Sequence, residues 1–88
     1  MPGISRVNQD TAGGLIIGDL SPTVLVEGKP IAVKGAQIQP HGIGIHASAV
    51  MVGCSSTVFA SGIEVCREGD EASCGDTATG SFTVFAGD

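Results

Sequence analysis

The chain has no tryptophan and no tyrosine, and its phenylalanines are only Phe59, Phe82 and Phe85. A core for 88 residues must then come from Val, Ile, Leu and Ala, which is thin for an independent fold. Some staple is therefore expected: a metal, a disulfide or a partner subunit. Positive charge is scarce too. Arg6, Lys29, Lys34 and Arg67 are the basic residues, and the net charge is −5. Nucleic acid is excluded as a partner, because its binders need a basic stripe to displace phosphate counterions. No apolar run approaches the ~18 residues of a membrane span, and the start lacks the charged-then-apolar pattern of a signal peptide. Three cysteines cannot all pair within one chain. With no export signal, they read as free or metal-bound thiols of a reducing compartment.

Signatures of catalysis are missing as well. There is no Gly-x-Ser-x-Gly, no His-Glu-x-x-His and no zinc-deaminase pattern. Neither Ser5 nor Ser48 has an identifiable base, so no catalytic residue is assigned. Gly13 and Gly14 lack the lysine and following helix that a phosphate loop needs.

What the chain does have is glycine, 14 of them, between strand-forming runs with no sustained helical period. The fold class is all-β, in a single domain over residues 1–88. Ser21-Pro-Thr-Val-Leu-Val-Glu-Gly28 resembles Ser55-Ser-Thr-Val-Phe-Ala-Ser-Gly62, and Ser81-Phe-Thr-Val-Phe-Ala-Gly87 is a shortened third copy. The register continues without a gap, Gly28-Lys-Pro-Ile-Ala-Val-Lys-Gly35 lying over Gly62-Ile-Glu-Val-Cys-Arg-Glu-Gly69, so that Cys66 falls opposite Ala32. Pro2 to Asp10 reads as the tail of a first copy. Each unit is expected to hold a strand such as 23–27, a glycine turn, a return strand and a corner loop. Such repeats predict pseudo-threefold geometry.

The corner loops, roughly Asp10–Gly14, Gln37–Ala47 and Asp70–Thr77, then meet at one end. That gathers His41, His46 and Cys74, all in Gly- or Pro-rich segments that cannot be ordinary helices. Imidazole and thiolate from separate loops are the usual means of tying a small domain together with zinc. The expected cofactor is about one Zn²⁺ per chain at a closed structural site, with His41, His46 and Cys74 as ligands. The fourth ligand stays open. Asp10, Asp70 and Asp76 are read first as turn residues, with Asp76 or water as candidates for the fourth position. Cys54 and Cys66 are read as small buried hydrophobes.

Several elements resemble the PAAR-repeat proteins. Pro2-Gly-Ile-Ser-Arg6-Val and Gly28-Lys-Pro-Ile-Ala-Val are similar to the Pro-Ala-Ala-Arg element that names them, and Ser-Pro-Thr-Val-Leu-Val to their recurring Ser-Pro-Thr-Val-Phe-Val. Pro40-His41-Gly42 and Ser73-Cys74-Gly75 resemble the loops that carry metal ligands. The first corner loop departs from the pattern: many members have a histidine before the Gly-Gly pair, where this chain has Thr11-Ala12.

The resemblance implies a small cone of β-structure capping the trimeric β-helical spike of a contractile injection machine. Its zinc-bound apex would aid membrane puncture and its flat base would dock on the spike, one monomer on a trimer. It implies a place in a phage-tail baseplate within the virion, or assembly in the bacterial cytoplasm and delivery by type VI secretion. Contact with the target membrane would be transient. The chain ends near its last repeat, so no cargo extension is expected. The base is expected at the turns opposite the corner loops, with Leu20, Pro22, Ser56 and Phe82 as partner-binding residues. The alternative is a small zinc-dependent hydrolase or a ligand-binding adaptor, which a pocket at the metal would mark. A metal-free β-rich oligomer subunit is a third reading.

Overall fold

In the computed structural model, residues 2–86 are described; Met1, Asp88 and Gly87, the closing glycine of the third copy, lie outside them. The backbone is built from short antiparallel hairpins. The first joins β1 (Thr11–Ala12) to β2 (Gly14–Leu15) around Gly13. The second joins β3 (Leu25–Val26) to β4 (Lys29–Pro30), and the third joins β5 (Phe59–Ala60) to β6 (Ile63–Glu64). In the last two, both turn residues have positive φ: 55° and 81° at Glu27 and Gly28, 53° and 77° at Ser61 and Gly62. Two successive left-handed residues make the tight turn whose twist matches that of the flanking strands.

The strand expected over 23–27 is shorter than the sequence suggests. Only Leu25 and Val26 pair, because the Val24 N–H bends back to the Ser21 carbonyl and Glu27 belongs to the turn. The same happens in the other copies through the serine hydroxyl. Ser55 Oγ accepts from the Thr57 and Val58 amides, and Ser81 Oγ from those of Thr83 and Val84. A buried serine that satisfies two amides replaces a ladder bond. Among the described residues there is no α-helix, only a 3₁₀ turn at Gly44–His46.

Behind the hairpins, three return segments meet. The Ser5 N–H donates to the Cys66 carbonyl at 3.0 Å, Cys66 N–H to Ala32 at 2.9 Å, and Ala32 N–H to Ser5 at 3.0 Å. These bonds close a ring, and all three residues are fully buried. Three further bonds join the same segments in the opposite sense: Val7 donates to Pro30, Lys34 to Glu64 and Glu68 to Gly3. One apolar cluster lies under the hairpins, with Val26, Val33, Ala60, Val65 and Ala86. The other, with Ile16, Ala32, Ile38, Met51 and Cys66, extends to Cys74.

Past the ring, the segments run into the corner loops. Asp10 and Asp70 tie two of these exits. Each carboxylate accepts from the backbone N–H and the guanidinium of its arginine, Arg6 or Arg67. Isolated bridges Ile16↔Ile38, Gln37↔Val50 and Met51↔Ala72 then hold the loops side by side. No helix of the described residues is long and apolar enough to cross a membrane.

Candidate metal centre

Two loops supply the side chains. In the first, Pro40 leads into a turn in which the His41 N–H donates to the His46 carbonyl at 3.1 Å. The 3₁₀ turn closes it, with Ala47 N–H donating to Gly44 at 3.1 Å. His41 and His46 are thereby set edge to face, ring centroids 4.9 Å apart. In the second loop, Ala72 N–H donates to the Asp76 carbonyl and Gly75 N–H to that of Ala72. This small turn brings the Cys74 and Asp76 side chains to the same place, with the Cys74 thiol 3.4 Å from Asp76 Oδ2.

One donor atom from each of His41, His46, Cys74 and Asp76 lies within 4.8 Å of the other three. His41 Nε2 is 3.0 Å from Asp76 Oδ2, 3.1 Å from His46 Nδ1 and 3.6 Å from Cys74 Sγ. His46 Nδ1 is 3.5 Å from Asp76 Oδ2. Zinc bonds of the usual lengths in a tetrahedron put neighbouring N, O and S donors about 3.3–3.6 Å apart. These residues fit zinc: two imidazoles, one thiolate and one carboxylate are a donor set it accepts, and separations of 3.0–3.6 Å lie close to that range.

The hydrogen bonding suits a ligating histidine as well. His41 Nδ1 lies 3.0 Å from the Gln39 carbonyl, which can only accept, so Nδ1 carries the proton. A second bond of this kind, from ring N–H to a backbone carbonyl, is what orients a ligating histidine. Nε2, the other ring nitrogen, faces the Asp76 carboxylate, the His46 ring and the Cys74 thiol together. The Cys74 thiol, and after it His41, hold the Asp76 carboxyl below the usual carboxylate range.

The first corner loop completes the surround with backbone. Gly13 has φ +86°, and a Cβ there would stand 2.1 Å from Asp76 Oδ2 and 2.6 Å from His41 Nε2. A side chain at that position would collide with both donors, so the loop meets the centre as backbone. A shallow hollow of about 250 Å³ lies beside the loops, lined by Ile17, Ile38, Pro40, Ala47 and Ala49 among others; it includes none of the four donors.

The sequence pattern of the PAAR motif family matches residues 8–86. The chain belongs to the PAAR motif family. No curated protein matches it. Pro2–Val7, part of the resemblance in the sequence, precedes the matched region. The PAAR family is structural, not catalytic, and membership implies a spike-tip protein of type VI secretion systems or phage tails. The zinc-dependent hydrolase is thereby set aside.

Against the expectations, the PAAR chain brings His41, His46 and Cys74 together and adds the Asp76 carboxylate, whereas Asp10 and Asp70 hold turns. Asp76 was distinguishable by one signal, its place two residues after Cys74 in a glycine turn. Cys66 is buried and Cys54 half-buried, outside the cluster. Leu20, Pro22, Ser56 and Phe82 are all exposed, Phe82 at 89%. The sequence reading overlooked another set. Leu25, Phe59 and Phe85, the fifth residues of the three Ser-x-Thr-Val copies, are 57%, 55% and 48% exposed. Their neighbours Val26, Ala60 and Ala86 are buried, as strand alternation requires.

Proposed function

We propose that this PAAR protein is a zinc-stiffened spike tip. It holds one zinc ion through His41, His46, Cys74 and Asp76 at the apex and docks by its opposite end on a trimeric β-helical spike. The observation that carries the reading is the set of donor separations, 3.0–3.6 Å, converging on His41 Nε2 from two loops. Bound zinc would supply a closed structural cross-link, a contribution of about 10–16 kcal/mol in small zinc modules. Such a link matters in a chain whose core has no large aromatic packed inside it. The residues themselves do the positioning. Gln39 orients His41, Gly13 closes the site with backbone, and the turn at Gly75 holds thiol and carboxylate together.

The docking reading rests on repetition. The ring of Ser5, Ala32 and Cys66 and the equivalent bonds around it support a pseudo-threefold arrangement. A single chain of that form offers a threefold spike three similar edges. Leu25, Phe59 and Phe85 would be the apolar contacts at similar heights, with Leu20, Pro22, Ser56 and Phe82 around them. Exposed apolar side chains on short strands are a liability that a permanent partner removes. On this reading the protein works at the head of an injected spike, in a phage baseplate or a secretion machine, and meets the target membrane only in passing.

Zinc analysis and spike co-purification test the two halves separately. Changing His46 to Ala should remove the metal and leave docking in place. Changing Phe59 and Phe85 to Asp should remove docking and leave the metal.

A further inference from the structure

Two of the three thiols have no part in the metal cluster. Cys54 immediately precedes the second Ser-x-Thr-Val copy and Cys66 lies on the return segment of the same unit. The Ser55 N–H donates to the Val65 carbonyl at 2.8 Å, the place the hairpin ladder would give to Val58, whose amide turns to Ser55 Oγ. One step beyond that bond on each segment stand Cys54 and Cys66. In an antiparallel pair such a step is a non-hydrogen-bonded site, where Cα atoms lie about 4.5 Å apart. Disulfides need about 4.4–6.8 Å. Cys54 packs against the apolar cluster that contains Cys66.

The corresponding step in the third copy is set by the Ser81 N–H donating to Ile4 at 2.9 Å, and it pairs Gly80 with Ser5. The middle unit alone carries sulfur on both sides. Cys66 is fully buried and Cys54 is half-buried, so solvent reaches only one thiol of the pair. Contact with Cys54, followed by burial, pushes the Cys66 thiol up, and the half-buried Cys54 is the thiol that a reagent reaches first.

We infer that Cys54 and Cys66 form a thiol–disulfide site, closed by a small-molecule disulfide into a cross-strand staple that the metal centre does not use. In the first step the Cys54 thiolate attacks one sulfur of the reagent R–S–S–R. A Cys54–S–S–R bond forms, and the reagent's own S–S bond breaks to release RS⁻, which takes up the Cys54 proton. In the second step Cys66 sulfur attacks the Cys54 sulfur, and the Cys54–SR bond breaks. The leaving RS⁻ takes the Cys66 proton. Two thiols lose two electrons and the reagent becomes two RSH. The closed bond spans the β5–β6 hairpin and restricts the unfolded chain over that loop. It is independent of the zinc reading.

The test treats the zinc-supplemented full chain with oxidised glutathione, then reads intact mass and disulfide-linked peptides. The expected result is loss of two hydrogens, with the peptides of Cys54 and Cys66 joined, unchanged zinc content and a higher thermal midpoint. In the Cys66→Ala variant a glutathione adduct should persist on Cys54, and Cys54→Ser should not react. A wild-type adduct that stays on Cys54 without closing would overturn the inference. So would a bond from either residue to Cys74, or no reaction at all.

Discussion

His41 Nε2 and Asp76 Oδ2 lie 3.0 Å apart, and the other ring nitrogen of His41 is tied to the Gln39 carbonyl. An imidazole and a carboxylate at that distance, from two loops, suit a shared cation. Cys74 and His46 stand where a four-coordinate ion would have its remaining ligands.

The carboxylate is the first thing to alter. Asp76→Asn keeps the shape and removes the charge, so zinc affinity should fall by more than ~10-fold in competition with a chelator. The thermal midpoint should fall with it, because metal binding and folding are linked. Asp76→Asn binding zinc as tightly as wild type would remove Asp76 from the ligand set.

Gly13 offers a sharper comparison. Gly75 also has positive φ, 90°, but a Cβ there meets nothing within 4 Å. Gly75→Ala should therefore cost only the backbone term, about 1–2 kcal/mol, and keep the metal. Gly13→Ala adds a collision with Asp76 and His41, so it should cost more in denaturant unfolding and lose zinc. Equal effects from the two changes would mean the first corner loop does not press on the centre.

How much of this could be read in the chain depends on the kind of signal. The repeat register placed Cys66 opposite Ala32, and these residues do share the buried ring. Their third partner, Ser5, was hidden because the first copy lacks its Ser-x-Thr-Val half. His41, His46 and Cys74 stood out as rare side chains in turns. Asp76 did not, since aspartates in turns are common and nothing in its identity separates a capping carboxylate from a ligating one. The base was read from loop position, which favoured Phe82. Leu25, Phe59 and Phe85 emerge only when alternation is tracked from their buried neighbours. The approach of Cys54 to Cys66 depends on the Ser55 N–H reaching the Val65 carbonyl, a feature of hydrogen bonding that spacing does not encode.

A pH dependence is expected at Glu27. Ser81 and Thr83 hydroxyls and the Arg6 guanidinium hold its carboxyl below the usual glutamate range. A depressed folded value means stability that is present above the unfolded glutamate range and lost as pH falls through the folded value. Wild type should lose midpoint steadily over that acid window. Glu27→Gln should start lower at neutral pH and show a flatter acid limb; an identical limb would show that Glu27 contributes nothing.

Docking should respond to the three equivalent positions together. Charging Leu25, Phe59 and Phe85 singly with Asp should each weaken co-purification with the spike, by ~30-fold if each is a contact of about 2 kcal/mol. Zinc content should not change. If all three leave binding intact while Phe82→Asp abolishes it, the outer rim rather than the ring of fifth residues is the contact.

The most direct measurement is the metal content of the purified chain. Elemental analysis should find about one zinc per chain, and the His46→Ala and Cys74→Ser variants should hold far less. Wild-type protein with its β-structure intact and well under half an equivalent of any transition metal would contradict a zinc-stiffened tip.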